Sequence, residues 1–218
     1  MPYDPVKDFA PITQGTSYMY VLVVPPSLPV KTLNDFVGVL KSRPGQLTYG
    51  STGIGGGNHL AGELFNLMTN TKAIHVPYTG SALALASLLG GQTSYMFDTV
   101  ITAVPQVRAG KLKAIGVTGP KRASALPDMP TLNELGLKGY EITQWQAVVA
   151  PGGTPKAIVD KLNREVVKAL KMPDVIERLA TQGGNELVGN TPEQFAQVIR
   201  NDLARYARLV KDAGIKPQ

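Results

Sequence analysis

Short apolar runs of strand length alternate with segments of helical periodicity along most of the chain. The runs that predict buried strands are Tyr18 to Val24, Leu47 to Ser51, Ala73 to Pro77, Ser94 to Asp98, Leu112 to Val117 and Glu141 to Ala150. Helices are predicted between them after the N-cap candidate Thr32 and near Asn58, Gly80 and Val100. This alternation is typical of an α/β fold in which at least some strands are parallel.

The carboxyl-terminal part of the chain is almost wholly helical in pattern, with helices predicted over Pro155 to Leu170, Pro173 to Gln182 and Thr191 to Ala213. Pro155 and Pro192 occupy first-turn positions, each after a threonine N-cap. The last helix carries an apolar stripe that consists of Phe195, Val198, Ile199, Leu203, Tyr206 and Val210. Because such a stripe needs a partner surface, we expect this tail to pack on the α/β region, to pair with a second copy or to stay mobile.

Composition narrows the function classes. The 218 residues are 43% hydrophobic and 17% charged, which is ordinary for a globular protein. No apolar run approaches the roughly 20 residues of a membrane-spanning helix, and the amino terminus lacks the pattern of a signal peptide. The absence of cysteine excludes disulfides, thiol catalysis and thiolate metal ligands.

The net charge of +6 is compatible with binding of a nucleic acid or of an anionic ligand. Since the basic residues are scattered and not interleaved with aromatic residues, we expect no nucleic-acid partner.

A glycine-rich turn from Gly50 to Leu60 is the most informative segment. It links a predicted strand to a predicted helix start, where glycines let the backbone approach a ligand and free N–H groups favour an anion. The predicted ligand contacts in this turn are Ser51, Thr52, Gly53, Gly57, Asn58 and His59. The dinucleotide fingerprint fails because Asn58 replaces its third glycine, and the phosphate-loop motif fails because no Gly-Lys-Ser/Thr follows. A flexible turn that only packs closely remains the alternative.

A second turn of the same kind joins the next strand to the next helix. Its predicted ligand contacts are Tyr78, Thr79, Gly80 and Ser81. Thr79 or Ser81 is expected to cap the helix while its free N–H groups face the ligand. Successive βα turns of a parallel sheet lie at the same end, where ligands of open α/β sheets bind.

Asp98 ends a strand at this edge, either as an acceptor for a ligand amine or as a helix cap. Trp145 is either a cleft wall or a core residue.

The sequence offers little for catalysis. His59 and His75 are its only histidines. We interpret each as a hydrogen-bonded structural residue and not as a catalytic one. There is no Gly-x-Ser-x-Gly elbow, no His-Glu-x-x-His motif and no carboxylate cluster that suggests a metal. We therefore expect no catalytic residue, no metal and no cofactor. A cytoplasmic nucleotide- or phosphate-binding α/β enzyme stays open as the alternative function, on the strength of the glycine-rich turn.

A series of short motifs runs in order along essentially the whole chain. They are Tyr3 to Ile12, Pro29 to Thr32, Tyr49 to Ser51, His59 to Phe65, His75 to Tyr78, Leu88 to Gln92, Met96 to Asp98, Ala109 to Leu112, Leu126 to Asp128, Pro130 to Thr131, Ala150 to Pro151, Gly153 to Pro155 and Asn190 to Glu193. In these motifs the chain resembles the tripartite tricarboxylate transporter receptor family, also called Bug receptors. These are periplasmic binding proteins of type 2 architecture.

The resemblance implies a two-domain receptor that holds a carboxylated metabolite in a cleft, partly through backbone groups and bridging waters. The receptor presents this organic acid, amino acid or aromatic acid to a membrane permease. The resemblance also implies that the turns Ser51 to His59 and Tyr78 to Ser81, with Asp98, contribute ligand contacts. The expected location is periplasmic, by this resemblance alone.

The family layout also implies domain boundaries. Residues 1–16 would be a crossover segment, residues 17–140 the α/β ligand-binding second domain, and residues 141–218 a return crossover with the C-terminal helices of the first domain. Family members carry a further half-domain and an export signal before the motif at Tyr3, and this sequence starts after them. We therefore expect weakened ligand binding and self-association through exposed C-terminal helices.

Overall fold

The computed structural model describes residues 3–216, which divide into two compact units. The first unit combines the chain up to Tyr18 with Gln144–Arg208, and the second combines Met19–Thr143 with the chain from Leu209 onward. Residues 1–2 of the predicted crossover segment and residues 217–218 of the predicted tail lie outside the described residues. None of the helices within residues 3–216 has the length and apolar character that crossing a bilayer requires.

The second unit is built on a mixed sheet with the strand order β3-β2-β4-β1-β5. The strands are β1 (Phe9–Val24), β2 (Thr48–Ser51), β3 (Ile74–Pro77), β4 (Tyr95–Thr99) and β5 (Lys113–Val117). Strand β2 is parallel to both β3 and β4, whereas β1 is antiparallel to β4 and β5. The predicted α/β fold with partly parallel strands is confirmed. Strand β1 begins at Phe9, well before the predicted run that starts at Tyr18. The prediction missed the first half of the strand because that half is rich in polar residues and carries no continuous apolar signal.

Four helices connect the strands of the second unit: α1 (Leu33–Ser42), α2 (Gly57–Thr69), α3 (Ser81–Leu89) and α4 (Val100–Arg108). Helix α1 begins after the predicted N-cap Thr32. The Thr32 hydroxyl accepts the Asp35 N–H at 3.1 Å, and Asp35 Oδ2 accepts the Thr32 N–H at 2.9 Å. This reciprocal capping box satisfies donors that a helix start leaves free. The core beneath the helices includes a set of buried aromatic side chains, Phe36, Tyr49, Phe65, Tyr95, Phe97 and Tyr140.

The first unit contains the first half of β1, which pairs with β6 (Thr143–Pro151) and β7 (Glu186–Leu187). Its helical segments are α5 (Lys156–Ala169), α6 (Pro173–Ile176), a π-helical segment (Glu177–Gln182) and most of α7 (Pro192–Asp212), whose residues from Leu209 onward belong to the second unit. The helical segment predicted over Pro173 to Gln182 is confirmed, and its second part has π-helical geometry. There the Asn185 side chain donates to the Leu179 carbonyl at 3.0 Å and so occupies an acceptor of the α-helical ladder.

One of the two predicted threonine caps is confirmed. The Thr191 hydroxyl accepts the Gln194 N–H at 3.2 Å, and Pro192 opens α7. The prediction for Thr154 is wrong, because its hydroxyl donates to the Pro151 carbonyl at 2.7 Å and Pro155 itself is the N-cap of α5.

Helix α7 packs within the first unit through Trp145 of β6. The Trp145 indole N–H donates to Asp202 Oδ2 at 2.8 Å, and its ring meets the ring of Phe195 edge-on at 5.2 Å. Phe195 is fully buried, whereas Leu203 of the same predicted stripe remains 41% exposed. Trp145 is thus a packing residue of the first unit, and the stripe is covered at its amino-terminal end.

Two helical glycines of the second unit offer a matched test of the packing of α2 against β2. A Cβ at Gly62 in α2 would lie 2.3 Å from the Tyr49 ring, whereas a Cβ at Gly38 in α1 meets nothing within 4 Å. We expect Gly62→Ala to destabilise the protein by about 1–3 kcal/mol through overpacking. Gly38→Ala is expected to stabilise it by about 0.5–1 kcal/mol, since alanine favours the helix. Urea unfolding of both variants measures the difference, and equal effects would contradict the close approach of α2 to β2.

Candidate functional site

Three helix starts lie at one edge of the sheet in the second unit. Strands β2, β3 and β4 are mutually aligned through β2, so their carboxyl ends share an edge, and α2, α3 and α4 begin there. The N-caps are Gly56, Gly80 and Thr99, and none of them makes a side-chain cap hydrogen bond. Uncapped helix starts carry free N–H groups and the positive end of the helix dipole. The predicted placement of both glycine-marked turns at one end of the sheet is confirmed.

The first turn is held by its own side chains. Ser51 is fully buried, and its hydroxyl oxygen lies 3.1 Å from both the N–H and the carbonyl of Gly53. Asn58 Oδ1 accepts the Thr52 N–H at 3.2 Å, the Thr52 hydroxyl at 3.1 Å and the His59 N–H at 3.1 Å. Side chains of the helix start therefore close back on the turn that precedes it.

The glycines of this turn have conformations that other residues rarely adopt. Gly53 has a φ of 131° and Gly55 a φ of 78°. The Gly55 N–H donates to His59 Nδ1 at 3.0 Å. No backbone carbonyl in the described part of the chain accepts the N–H of Gly57 or Asn58. The turn therefore presents main-chain donors of the helix start, while Ser51, Asn58 and His59 are buried and engaged within the turn.

The second turn adjoins the first. The Tyr78 N–H donates to the Ser51 carbonyl at 2.9 Å, which extends the β2–β3 ladder into the turn. The predicted cap by Thr79 or Ser81 is wrong: Gly80, with a φ of 148°, is the N-cap of α3 and has no side chain to offer. Among residues 3–216 no backbone carbonyl accepts the Ser81 N–H. The hydroxyls of Thr79 and Ser81 thus flank an open helix start.

Asp98 lies at the end of β4 on the same edge and is only 1% exposed. Its Oδ1 accepts the Thr99 N–H at 2.9 Å and the Thr102 hydroxyl at 2.7 Å. Its Oδ2 is buried and has no hydrogen-bond partner within the described residues. Burial raises the pKa of Asp98 to about 6, although the bonds from Thr102 and Thr99 oppose this shift. Asp98 therefore combines a partial capping role with one unpaired buried acceptor.

A pair of stacked imidazoles lies behind the first turn. The rings of His59 and His75 are 3.9 Å apart, and His75 Nε2 lies 2.5 Å from the Ser51 hydroxyl oxygen. Tyr49 stacks on His75 at 5.0 Å, and its hydroxyl donates to Glu63. The sequence did not indicate that His75, Tyr49 and Glu63 lie together. The signal available was the parallel pairing of β2 with β3, which places Tyr49 opposite His75.

Both histidines and Glu63 border a pocket of about 370 Å³ in the second unit, which is also lined by Ile54 and Ala213 to Lys216. Burial lowers the pKa of His59, with Glu63 opposing the change, and burial next to His59 lowers the pKa of His75 to about 4. Within residues 3–216 no group of three metal-ligating side chains is close enough to hold a metal ion.

The chain matches proteins of one receptor family along its length. The family model described as tripartite tricarboxylate transporter family receptor matches residues 1–215. The UPF0065 protein in the tcbD-tcbE intergenic region of Pseudomonas sp. (strain P51) is 35% identical over 211 residues, which are 96% of this chain and 62% of that protein. Protein BugT of Bordetella pertussis is 32% identical over 216 residues, which are 99% of this chain and 66% of that protein. The chain therefore spans less than two thirds of the length of these relatives.

Two solved structures share the fold over nearly the whole chain. The R. palustris protein Rpa4515 with adipate has a TM-score of 0.88 and 35% identity, covering 100% of this chain and 73% of that chain. MatC from Rhodopseudomonas palustris with bound malate has a TM-score of 0.84 and 33% identity, covering 96% of this chain and 72% of that chain.

The raised pKa of Asp98 predicts that the free energy of unfolding depends on pH. Folding raises its pKa from 3.8 to about 6, so the protonated form is favoured in the folded state and this contribution is lost as the pH rises through 6. We expect Asp98→Asn, which cannot ionise, to gain stability relative to the unsubstituted protein between pH 4 and pH 6, reaching roughly 2–3 kcal/mol. Urea unfolding at several pH values measures this difference.

Asp35→Asn is the matched control. Backbone hydrogen bonds from Lys31 and Thr32 hold the pKa of Asp35 below 3.8, so the stabilising contribution of its ionised form is present above that value and lost in acid. The Asp35 variant should therefore lose stability relative to the unsubstituted protein as the pH rises. A pH-independent difference for Asp98→Asn would contradict the burial of its carboxyl group.

Proposed function

The chain belongs to the tripartite tricarboxylate transporter receptor family, and from this premise we propose that it binds a small carboxylate and delivers it to a membrane transporter. The observation that carries the proposal is the convergence of three uncapped helix starts at one edge of the sheet. Helix α1 of the same unit begins with a capping box, whereas the three helix starts at this edge have no side-chain cap. A carboxylate supplies the acceptors that these N–H groups lack.

The ligand contacts that we propose fall into two classes. The main-chain donors are the N–H groups of Gly57, Asn58 and Ser81, and the conformations of Gly53 and Gly80 leave room for the ligand to approach. The hydroxyl donors are Tyr78, Thr79 and Ser81, whereas the Thr52 hydroxyl, whose proton is donated to Asn58 Oδ1, offers only its oxygen as an acceptor. Ser51 and His59 contribute by holding the turn, because both side chains are buried and bonded within it. We therefore propose a ligand site made largely of backbone groups.

Asp98 adds selectivity to this site. Its unpaired Oδ2 is an acceptor beside a set of donors, and a buried acceptor without a partner is unfavourable. We propose that the preferred ligand has a hydroxyl or amine near its carboxylate, and that its binding uncovers the buried Oδ2 of Asp98 and satisfies it. Malate, which is bound in the MatC structure, has such a hydroxyl, whereas adipate, which is bound in the Rpa4515 structure, has none.

The family also supports a location and a domain assignment. We propose that the protein acts in the periplasm, with the permease of a tripartite tricarboxylate transporter as its partner. Residues 17–140 would form the ligand-binding domain, and residues 1–16 with 141–218 would belong to the other domain of the receptor. The two compact units support this division at Tyr18 and Gln144, whereas the chain from Leu209 onward belongs to the unit of the proposed ligand-binding domain.

An enzymatic function has little support. Ser51 and His75 resemble a nucleophile and its base, but Ser51 is 0% exposed and its hydroxyl is engaged with Gly53. A nucleophile must reach its substrate. The nucleotide-binding alternative lacks its sequence motifs, and its remaining support, the glycine-rich turn, is accounted for equally by a carboxylate ligand. We therefore propose that the protein has no catalytic activity of its own.

Substitutions at Ser81 test the contribution of a single N–H group. Ser81 is the first residue of α3, where proline fits the helix geometry but has no N–H to donate. We expect Ser81→Pro to weaken binding of malate by about tenfold or more, because a hydrogen bond to a carboxylate is lost. Ser81→Ala keeps the N–H and removes only the hydroxyl, so its effect should be smaller. Calorimetric titration at neutral pH measures both affinities.

The control for this comparison is the unfolding midpoint of the two variants, which should remain close to that of the unsubstituted protein. Titrations with adipate, amino acids and aromatic acids extend the panel. If the proline and alanine variants bind malate with equal affinity, the Ser81 N–H does not contact the ligand. An absence of heat with every acid in the panel would count against carboxylate binding itself.

A further inference from the structure

The two histidines of the chain are each connected to the glycine-rich turn by a hydrogen bond. His59 Nδ1 accepts the Gly55 N–H at 3.0 Å. His75 Nε2 lies 2.5 Å from the Ser51 hydroxyl oxygen, which in turn accepts the Gly53 N–H at 3.1 Å. Both glycines have positive φ values. The imidazoles therefore fix two main-chain groups in the turn that precedes the free donors of α2.

The bond from Gly55 determines the protonation of His59. A nitrogen that accepts an N–H carries no proton, so neutral His59 has its proton on Nε2. This proton is directed toward the side of Glu63, whose Oε1 is 3.8 Å from Nε2. A second proton on Nδ1 would place two donors against each other and break the bond to Gly55. His59 can therefore hold the turn only in its neutral form.

Stacking couples the second histidine to the first. With ring centres 3.9 Å apart, two imidazolium charges would repel each other strongly in this buried site. The other ionisable side chains around the pair are Tyr49 of β2, Glu63 of α2 and Lys216, which follows α7 and lines the adjoining pocket. Glu63 favours a charge on His59, but burial outweighs it, so the pKa of His59 stays below 6.5.

We propose that His59 and His75 are positioning residues: as neutral imidazoles they hold the glycine-rich turn in the shape that presents the α2 donors, and charging the pair weakens carboxylate binding. This inference rests on the proposed function. Because burial holds the pKa of His75 at about 4 and that of His59 below 6.5, the turn is intact at neutral pH. The affinity then falls as the pH drops through these values.

The first arm of the test needs no ligand. Nitrogen NMR of histidine-labelled protein shows the tautomer and the pKa of each ring, and His59→Gln and His75→Gln assign the two signals. We expect His59 with a bare Nδ1 and a protonated Nε2 at neutral pH, titrating below 6.5. A proton on Nδ1 at neutral pH, or a His59 pKa at or above 6.5, would overturn the proposal.

The second arm measures malate affinity by calorimetry between pH 5 and pH 8 for the unsubstituted protein, His59→Leu and His59→Asn. His59→Leu removes the acceptor for Gly55 and should bind about tenfold more weakly at neutral pH. His59→Asn places a carbonyl oxygen near the position of Nδ1, and it should recover most of this loss. Since asparagine does not titrate, the affinity of the unsubstituted protein relative to His59→Asn should fall on acidification, by up to about tenfold per pH unit below the pKa of His59.

Titration of malate and of Asp98 is common to both proteins and cancels in this ratio. A ratio that is constant with pH, or a His59→Leu variant that binds as tightly as His59→Asn, would contradict the positioning role. If the unsubstituted protein binds neither malate nor adipate at neutral pH, the proposed function fails. The NMR arm then still decides the positioning role, because on acidification the Gly55 N–H should lose protection against exchange in the unsubstituted protein relative to His59→Asn.

Discussion

Unpaired N–H groups at three neighbouring helix starts are the constraint on which the candidate site depends. A helix start leaves its first donors without partners inside the helix, and at α1 of the second unit a capping box satisfies part of this need. At α2, α3 and α4 the N-cap residue offers no such partner. The edge therefore has donors without acceptors, and we propose that a carboxylate ligand supplies them.

The rigidity of the first turn follows from the same constraint. Free donors bind an anion well only when they are already oriented, because ordering a loop on binding reduces the affinity. Ser51, Asn58 and His59 provide this order by bonding to Gly53, Thr52 and Gly55. Their polar side chains are thus used to shape the backbone, which agrees with our proposal that the ligand contacts mainly the main chain. Such a site carries little side-chain information about the ligand, which fits a family whose solved members hold different acids.

Asp98 places one acceptor among these donors. A buried carboxyl group with an unpaired oxygen is unfavourable, and its raised pKa expresses that cost. The protein nevertheless keeps it at the end of β4, beside the helix starts. In the site that we propose, an acceptor in this position would distinguish ligands that have a hydroxyl or amine from those that have only carboxylates. Backbone donors would then attract any small acid, and Asp98 would provide a preference among them.

The amino-acid pattern by itself determined the α/β class, the capped start of α1, the family and the placement of both glycine-marked turns at one sheet edge. These features depend on local periodicity, on caps within a few residues and on the rule that successive parallel strands end together. Local pattern did not determine that Gly80 leaves α3 uncapped, that the helix after Pro173 changes to π geometry, or that Ser51 meets His75 across 24 residues of chain. Those features were decided by the tertiary structure, because the register between β2 and β3 and the path of the backbone through each turn depend on contacts between distant residues.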